Sequence, residues 1–127
     1  MESPLRILLI EDDLLDAAIL THAIDREGLL SRIQRVMSAE ELREALVAFV
    51  PQVIVCDFSL PGFNGFEALE IVRNLCPSTP FFFSSGSLGR ERVQLALNRG
   101  ATGYALKGDY DSLLAQIRDH VGGSSAA

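Results

Sequence analysis

Strand-like apolar runs and stretches with a helical period alternate five times along the chain. The strand-like runs are Arg6–Ile10, Ile33–Met37, Val53–Cys56, Pro80–Ser84 and Gly103–Leu106. Between them, Leu42, Ala45, Leu46 and Phe49 recur at i, i+3, i+4 and i+7, as do Ala68, Ile71, Val72 and Leu75. Val93, Ala96 and Leu97 continue the pattern, and Leu114, Ile117 and Val121 mark a last helix. Ser38 with Glu41 three residues on forms a capping-box signal for the second helix. Gly28 and Gly100 stand where helices should end, and Pro77 and Pro80 bar continuation of the third helix. Five such βα units imply an α/β fold, a doubly wound parallel sheet covered by helices on both faces, because each right-handed crossover packs back onto the sheet. For five strands the order 2-1-3-4-5 suits this length.

Two of the apolar runs end in carboxylates. RILLIEDD, at Arg6 to Asp13, closes on three consecutive acids, and VIVCD closes on Asp57. In the order 2-1-3-4-5 the first and third strands are neighbours, and ligands bind at their carboxyl ends, where the order reverses. Glu11, Asp12 and Asp57 therefore crowd together. Unit charges about 5 Å apart at an effective dielectric near 20 repel by roughly 3 kcal/mol, so three pairs cost close to 10 kcal/mol before relaxation. Such a cluster calls for a cation. Mg²⁺, a hard ion that takes oxygen ligands and often accompanies phosphate, is the expected occupant. Ser85, after PFFFS, places a hydroxyl on the same rim, and Lys107, after GYAL, places a cation there. A carboxylate nucleophile, an acidic metal-binding pair, a hydroxyl and a lysine are the parts acyl-phosphate chemistry uses.

Composition narrows the field. A length of 127 residues and 48% hydrophobic content describe one folded domain, 1–122, followed by a small polar tail, 123–127, expected to be disordered. A net charge of −6 argues against a direct nucleic-acid surface. No apolar run approaches the roughly 18 residues of a membrane helix, and MESPLR lacks a signal-peptide core, so a cytoplasmic protein is expected. Cys56 and Cys76 have neither paired spacing nor ligand histidines nearby, which points to reduced thiols. Several residues have plain readings. Asp13 and Asp16 suit the first turn of a helix, Phe81, Phe82 and Phe83 suit a core strand, and His22 and His120 suit the surface. Tyr104 alone would be an ordinary half-buried aromatic.

IEDD, DFSLPGFNG at Asp57 to Gly65, FFFSSG and GYALK occur in that order at the ends of successive strands. With them the chain resembles the receiver domains of bacterial two-component response regulators, from about Leu5 to Val121. The resemblance implies a flavodoxin-like fold and a phosphorylation switch. Asp57 would be the phosphoacceptor, and Glu11, Asp12 and Asp57 would hold Mg²⁺ with the backbone carbonyl of Ser59. Ser85 and Lys107 would contact the phosphoryl group, and Tyr104 matches the aromatic switch position. Implied partners are a histidine kinase or phosphotransfer protein and a downstream protein or second copy, met by the fourth helix, fifth strand and fifth helix. Such a domain catalyses only its own phosphorylation and dephosphorylation. Ser59 and Ser87, two residues beyond the acceptor and the hydroxyl, are expected to tune phosphoryl lifetime. Gly108 stands where many relatives carry a proline, so the Lys107–Gly108 peptide is expected to be trans. Alternatives are a receiver-like adaptor that acts by binding alone, a flavodoxin-type FMN binder and an aspartate-based phosphatase.

Overall fold

A computed structural model describes residues 3–125 except Ser87. Its elements are β1 (Leu5–Ile10), α1 (Leu14–Arg26), β2 (Ser31–Val36), α2 (Ala39–Ala48), β3 (Val53–Cys56), α3 (Gly65–Leu75), β4 (Phe81–Ser85), α4 (Arg90–Asn98), β5 (Gly103–Leu106) and α5 (Tyr110–Ser125). The five strands form one parallel sheet in the expected order β2-β1-β3-β4-β5. A two-residue hairpin pairs Ser59–Leu60 with Phe63–Asn64. It turns at Pro61 and at Gly62, whose φ of +83° suits glycine.

Strand residues alternate between two buried layers. Leu8, Ile10, Ile54, Cys56, Phe81 and Phe83 face α2, α3 and α4. Ile7, Leu9, Val53, Val55, Phe82 and Ala105 face α1 and α5. Burial on both faces explains why the inner strands read as unbroken apolar runs. β2 lies at the sheet edge, and only Val36 of its six residues is fully buried. It covers Ser31–Val36 where 33–37 was expected. β4 begins at Phe81, one residue later than expected, because Pro80 has no N–H to donate; its carbonyl still accepts from Ile54 N–H at 2.9 Å.

The helices bury their faces unequally. Leu42, Ala45 and Leu46 of α2 are buried as the period requires. In α3, Leu69 joins Ala68 and Val72 in the core, whereas Leu75 at the end of the helix is 54% exposed. α4 buries only Ala96, and Leu97 is 41% exposed. α5 adds Leu113 to Leu114 and Ile117. Ser38 caps α2 by accepting from Glu41 N–H, but Glu41 returns its bond to Met37 N–H, one residue earlier than a full box. The reciprocal box forms instead at α3, between Asn64 and Glu67. Gly28 and Gly100 follow the ends of α1 and α4 with φ of +75° and +108°. α5 runs from Tyr110 to Ser125.

Candidate functional site

The sheet ladder brings the site together. Ile10 pairs with Cys56, so the next residues, Glu11 and Asp57, emerge side by side from β1 and β3. Asp57 N–H donates to Ile10 O at 2.9 Å, Glu11 N–H to Val36 O at 3.1 Å, and Lys107 N–H to Ser85 O at 2.9 Å. Arg35 also donates from Nη1 to Glu11 O at 3.0 Å, fixing the backbone where the acids begin. Among the described residues, Glu11, Asp12 and Asp57 each offer a carboxylate oxygen, all within 4.8 Å of one another. Glu11 and Asp57 are buried and Asp12 is exposed.

Lys107 neutralises part of this charge. Its Nζ lies 2.6 Å from Asp16 Oδ2, 3.0 Å from Glu11 Oε1 and 3.3 Å from Asp57 Oδ2. Burial by itself disfavours the ammonium, but hydrogen bonds to Asp16 and Glu11 and the field of Asp57 outweigh it, so Lys107 is held above the ordinary lysine range. Glu11 moves upward. Its burial and the charge of Asp57 raise it more than the bonds from Lys107 and Asp13 N–H lower it. Cys56 is pushed well up, first by burial and then by Asp57 and Glu11. Its thiol donates to Asp57 O at 3.0 Å, and Cys56 and Cys76 are both free. Oxygen donors of this kind, two of them withdrawn from water, suit a hard divalent cation and not a soft one.

The other expected residues fall in distinct places. Ser85 is buried and shares with Tyr104 the sheet face toward α2, α3 and α4; register pairs Phe83 with Tyr104 and Ser85 with Leu106. Its neighbour Ser84, on the opposite face, lines a cavity of about 10 Å³ together with Glu11, Asp16, Asp57, Lys107 and Tyr110. That volume is room for a single water or ion. Ser59 is exposed at the start of the hairpin. Ser87 lies outside the described residues. No peptide among the described residues is cis, Lys107–Gly108 included, and Gly108 takes a φ of +94°. Asp13 is the N-cap of α1 and not a first-turn residue.

Two site residues were missed by sequence reasoning. Asp16 does sit in the first turn of α1, but it also makes the shortest contact to Lys107. Tyr110 opens α5 beside them, its phenol pushed up by burial and then by Asp16. The available signal was their position, one helical turn past Asp12 and three residues past Lys107.

An aromatic cluster joins the site to α4. The ring of Phe58, next to Asp57, packs edge-on against Phe66 and Phe83 with centroids 5.0 and 5.9 Å away. Arg92 of α4 and Arg99, the C-cap of that helix, lie over Phe58 and Phe66, at 5.5 and 4.8 Å from the ring centroids.

The family model of the response regulator receiver domain matches residues 7–118. The chain belongs to this family. The receiver domain is 31% identical over 106 residues to the nitrate/nitrite response regulator protein NarL of Escherichia coli (strain K12), covering 84% of this chain and 49% of that protein. It is 30% identical over 100 residues to the protein-glutamate methylesterase/protein-glutamine glutaminase of Gluconobacter oxydans (strain 621H), covering 77% of this chain and 28% of that one. The chain thus spans between about a quarter and a half of the length of these curated relatives. In fold it is similar to a response regulator receiver domain protein (CheY-like) from Methanospirillum hungatei JF-1, with a TM-score of 0.84, 24% identity and 98% of each chain covered. This receiver domain is a signalling module of the two-component response regulators, and the flavin-binding and phosphatase alternatives are set aside. No described helix is long and apolar enough to cross a membrane.

Proposed function

We propose that Asp57 accepts a phosphoryl group from the phosphohistidine of a kinase or phosphotransfer protein, in the cytoplasm. An Asp57 carboxylate oxygen attacks phosphorus, the P–N bond breaks, and the departing imidazole takes up a proton. The observation that carries this reading is the convergence of the Glu11, Asp12 and Asp57 oxygens within 4.8 Å beneath the Lys107 ammonium. Negative charge on the transferred group needs positive charge fixed in advance, and Lys107 supplies one such charge at 3.3 Å from the acceptor. Glu11, Asp12, Asp57 and the carbonyl of Ser59 would hold Mg²⁺, which when bound neutralises charge on the phosphoryl oxygens. Ser85 donates its hydroxyl to the new acceptor oxygens, and Tyr104, on the same sheet face, follows it inward.

The output is a change in the surface made by α4, β5 and α5, offered to a downstream protein or a second copy of the chain. α4 suits such a role because only Ala96 of its residues is buried. Ser59 and Ser87 set how readily water reaches the acyl phosphate, so bulkier residues there change the dephosphorylation rate. The domain acts on no external metabolite.

Beryllofluoride, which mimics a phosphoryl group on a carboxylate, tests the reading by NMR. With Mg²⁺ it is expected to shift the amides of Ser85, Tyr104 and the α4–β5–α5 face in the wild-type protein and to leave Asp57→Asn unchanged. A wild-type spectrum that ignores both additions contradicts the proposal and favours an adaptor that acts by binding alone.

A further inference from the structure

Asp16 is placed by an interrupted capping box. Asp13 caps α1, its Oδ1 accepting from Leu15 N–H at 2.9 Å and Asp16 N–H at 3.1 Å. Asp16 stands third in the helix, where an acid commonly turns back to the N-cap N–H. Glu67 does so in α3, accepting from Asn64 N–H at 2.9 Å. In α1 that N–H is already taken by Glu11 Oε2 at 3.2 Å. The Asp16 carboxylate reaches across to Lys107 instead, meeting Nζ at 2.6 Å.

An ammonium has three protons, and Lys107 faces three carboxylates. Two of them, Glu11 and Asp57, belong to the oxygen cluster with Asp12, and Asp16 does not. A divalent cation or a phosphoryl group at that cluster draws on oxygens of Glu11 and Asp57. Asp16 is the one partner free of those demands. Lysine is a flexible four-carbon stem carrying a point charge, so its position must be imposed from outside. We propose that Asp16 is a positioning residue that holds the Lys107 ammonium over Asp57 throughout the phosphorylation cycle. The inference rests on the phosphotransfer reading and adds to it a residue outside the acidic cluster.

The test uses the full chain, Mg²⁺ and acetyl phosphate as phosphodonor, with Asp16→Ala and Asp16→Asn. Displacing a charge by about 1 Å from a reacting group can cost up to a hundredfold in rate, so Asp16→Ala is expected to lower the maximal phosphorylation rate by about tenfold. The donor concentration at half-maximal rate and the Mg²⁺ affinity measured by calorimetry should stay within about twofold. Asp16→Asn, which keeps an oxygen acceptor, should recover most of the rate. A wild-type maximal rate in Asp16→Ala overturns the proposal, as does a defect that appears only in donor half-saturation or Mg²⁺ affinity. A wild-type protein that takes no label sinks the phosphotransfer reading separately. The Lys107 ammonium signal in NMR then decides the tether: present in wild type with Mg²⁺ and lost in Asp16→Ala if the proposal holds, retained in both if it fails.

Discussion

Gly65 opens α3 directly beneath the acceptor loop, and adding one methyl group there has a calculable consequence. A Cβ would overlap Phe83 Cε1 and come within 3.0 Å of both Phe58 Cα and Phe58 Cδ1. Phe83 cannot yield freely, since it is fully buried and packs on Phe81, Phe58 and Phe66. Nor can Phe58 Cα, because Gly65 N–H donates to Phe58 O at 2.8 Å and draws the two backbones together. Overpacking of this kind costs about 1–3 kcal/mol, and alanine's better helix propensity returns up to about 1 kcal/mol. Gly65 is only the first residue of α3, so a mid-range overpacking cost of about 2 kcal/mol set against a return of about 0.5 kcal/mol leaves a net loss for Gly65→Ala of about 1–2 kcal/mol. At about 2.1 cal/mol/K per residue over 127 residues, that lowers Tm by roughly 4–7 °C. Calorimetry reads it directly, with Gly86→Ala as the control. Gly86 is exposed and has nothing within 4 Å of an added Cβ, so its change should stay within about 0.5 kcal/mol, or roughly 2 °C. A Gly65→Ala protein that melts with the wild type, or a control that falls as far, refutes the packing argument.

Other outcomes follow from the charges. In metal chelator, the raised folded pKa of Glu11 means the native state binds that proton more tightly than the unfolded chain, whose value is near 4.5. Its favourable share is complete below about pH 4.5 and is lost as pH rises through the folded value. Glu11→Gln should flatten that slope in urea melts, and an unchanged slope contradicts the assignment. Lys107→Met leaves buried carboxylates unpaired, which costs about 3–5 kcal/mol for a buried pair and about 2 kcal/mol here, since the lysine side chain is 24% exposed. Mg²⁺ should restore more stability to that variant than to wild type in thermal melts, and equal gains argue against a shared site. Arg92→Ala and Arg99→Ala each remove a cation from an aromatic face worth about 0.5–1 kcal/mol, so hydrogen exchange in α4 should quicken by about two- to fivefold. Exchange confined to wild-type rates would mean that these contacts do not anchor the helix.

The strand ends were legible because charge stops an apolar run abruptly: RILLI meets Glu11 and VIVC meets Asp57, and parallel pairing leaves those residues adjacent. The alternation of elements implied a doubly wound parallel sheet, and its order was chosen from the common doubly wound orders as the one that suits this length. α4 was less legible, since it buries only Ala96 and meets the aromatic cluster through Arg92 and its C-cap Arg99, which leaves little apolar period to read. Leu75 fits the period of α3 yet is about half exposed, as the last residue of the helix. Asp16 was hidden for a different reason. A first-turn acid satisfies the helix dipole on its own, so nothing local announces a partner 91 positions away. Ser84 was passed over: only strand alternation, which sets it on the face opposite Ser85, places it in the cavity beside Lys107.

The central claim is that Asp57, among 17 acidic residues, is the one poised to attack phosphorus. Peptide mapping by mass spectrometry after incubation with acetyl phosphate and Mg²⁺, with the acyl phosphate trapped by borohydride, tests it most directly. The expected result is modification of the peptide carrying Asp57 alone, abolished by chelator and by Asp57→Asn. Modification at another acid, or label that persists in Asp57→Asn, contradicts the account.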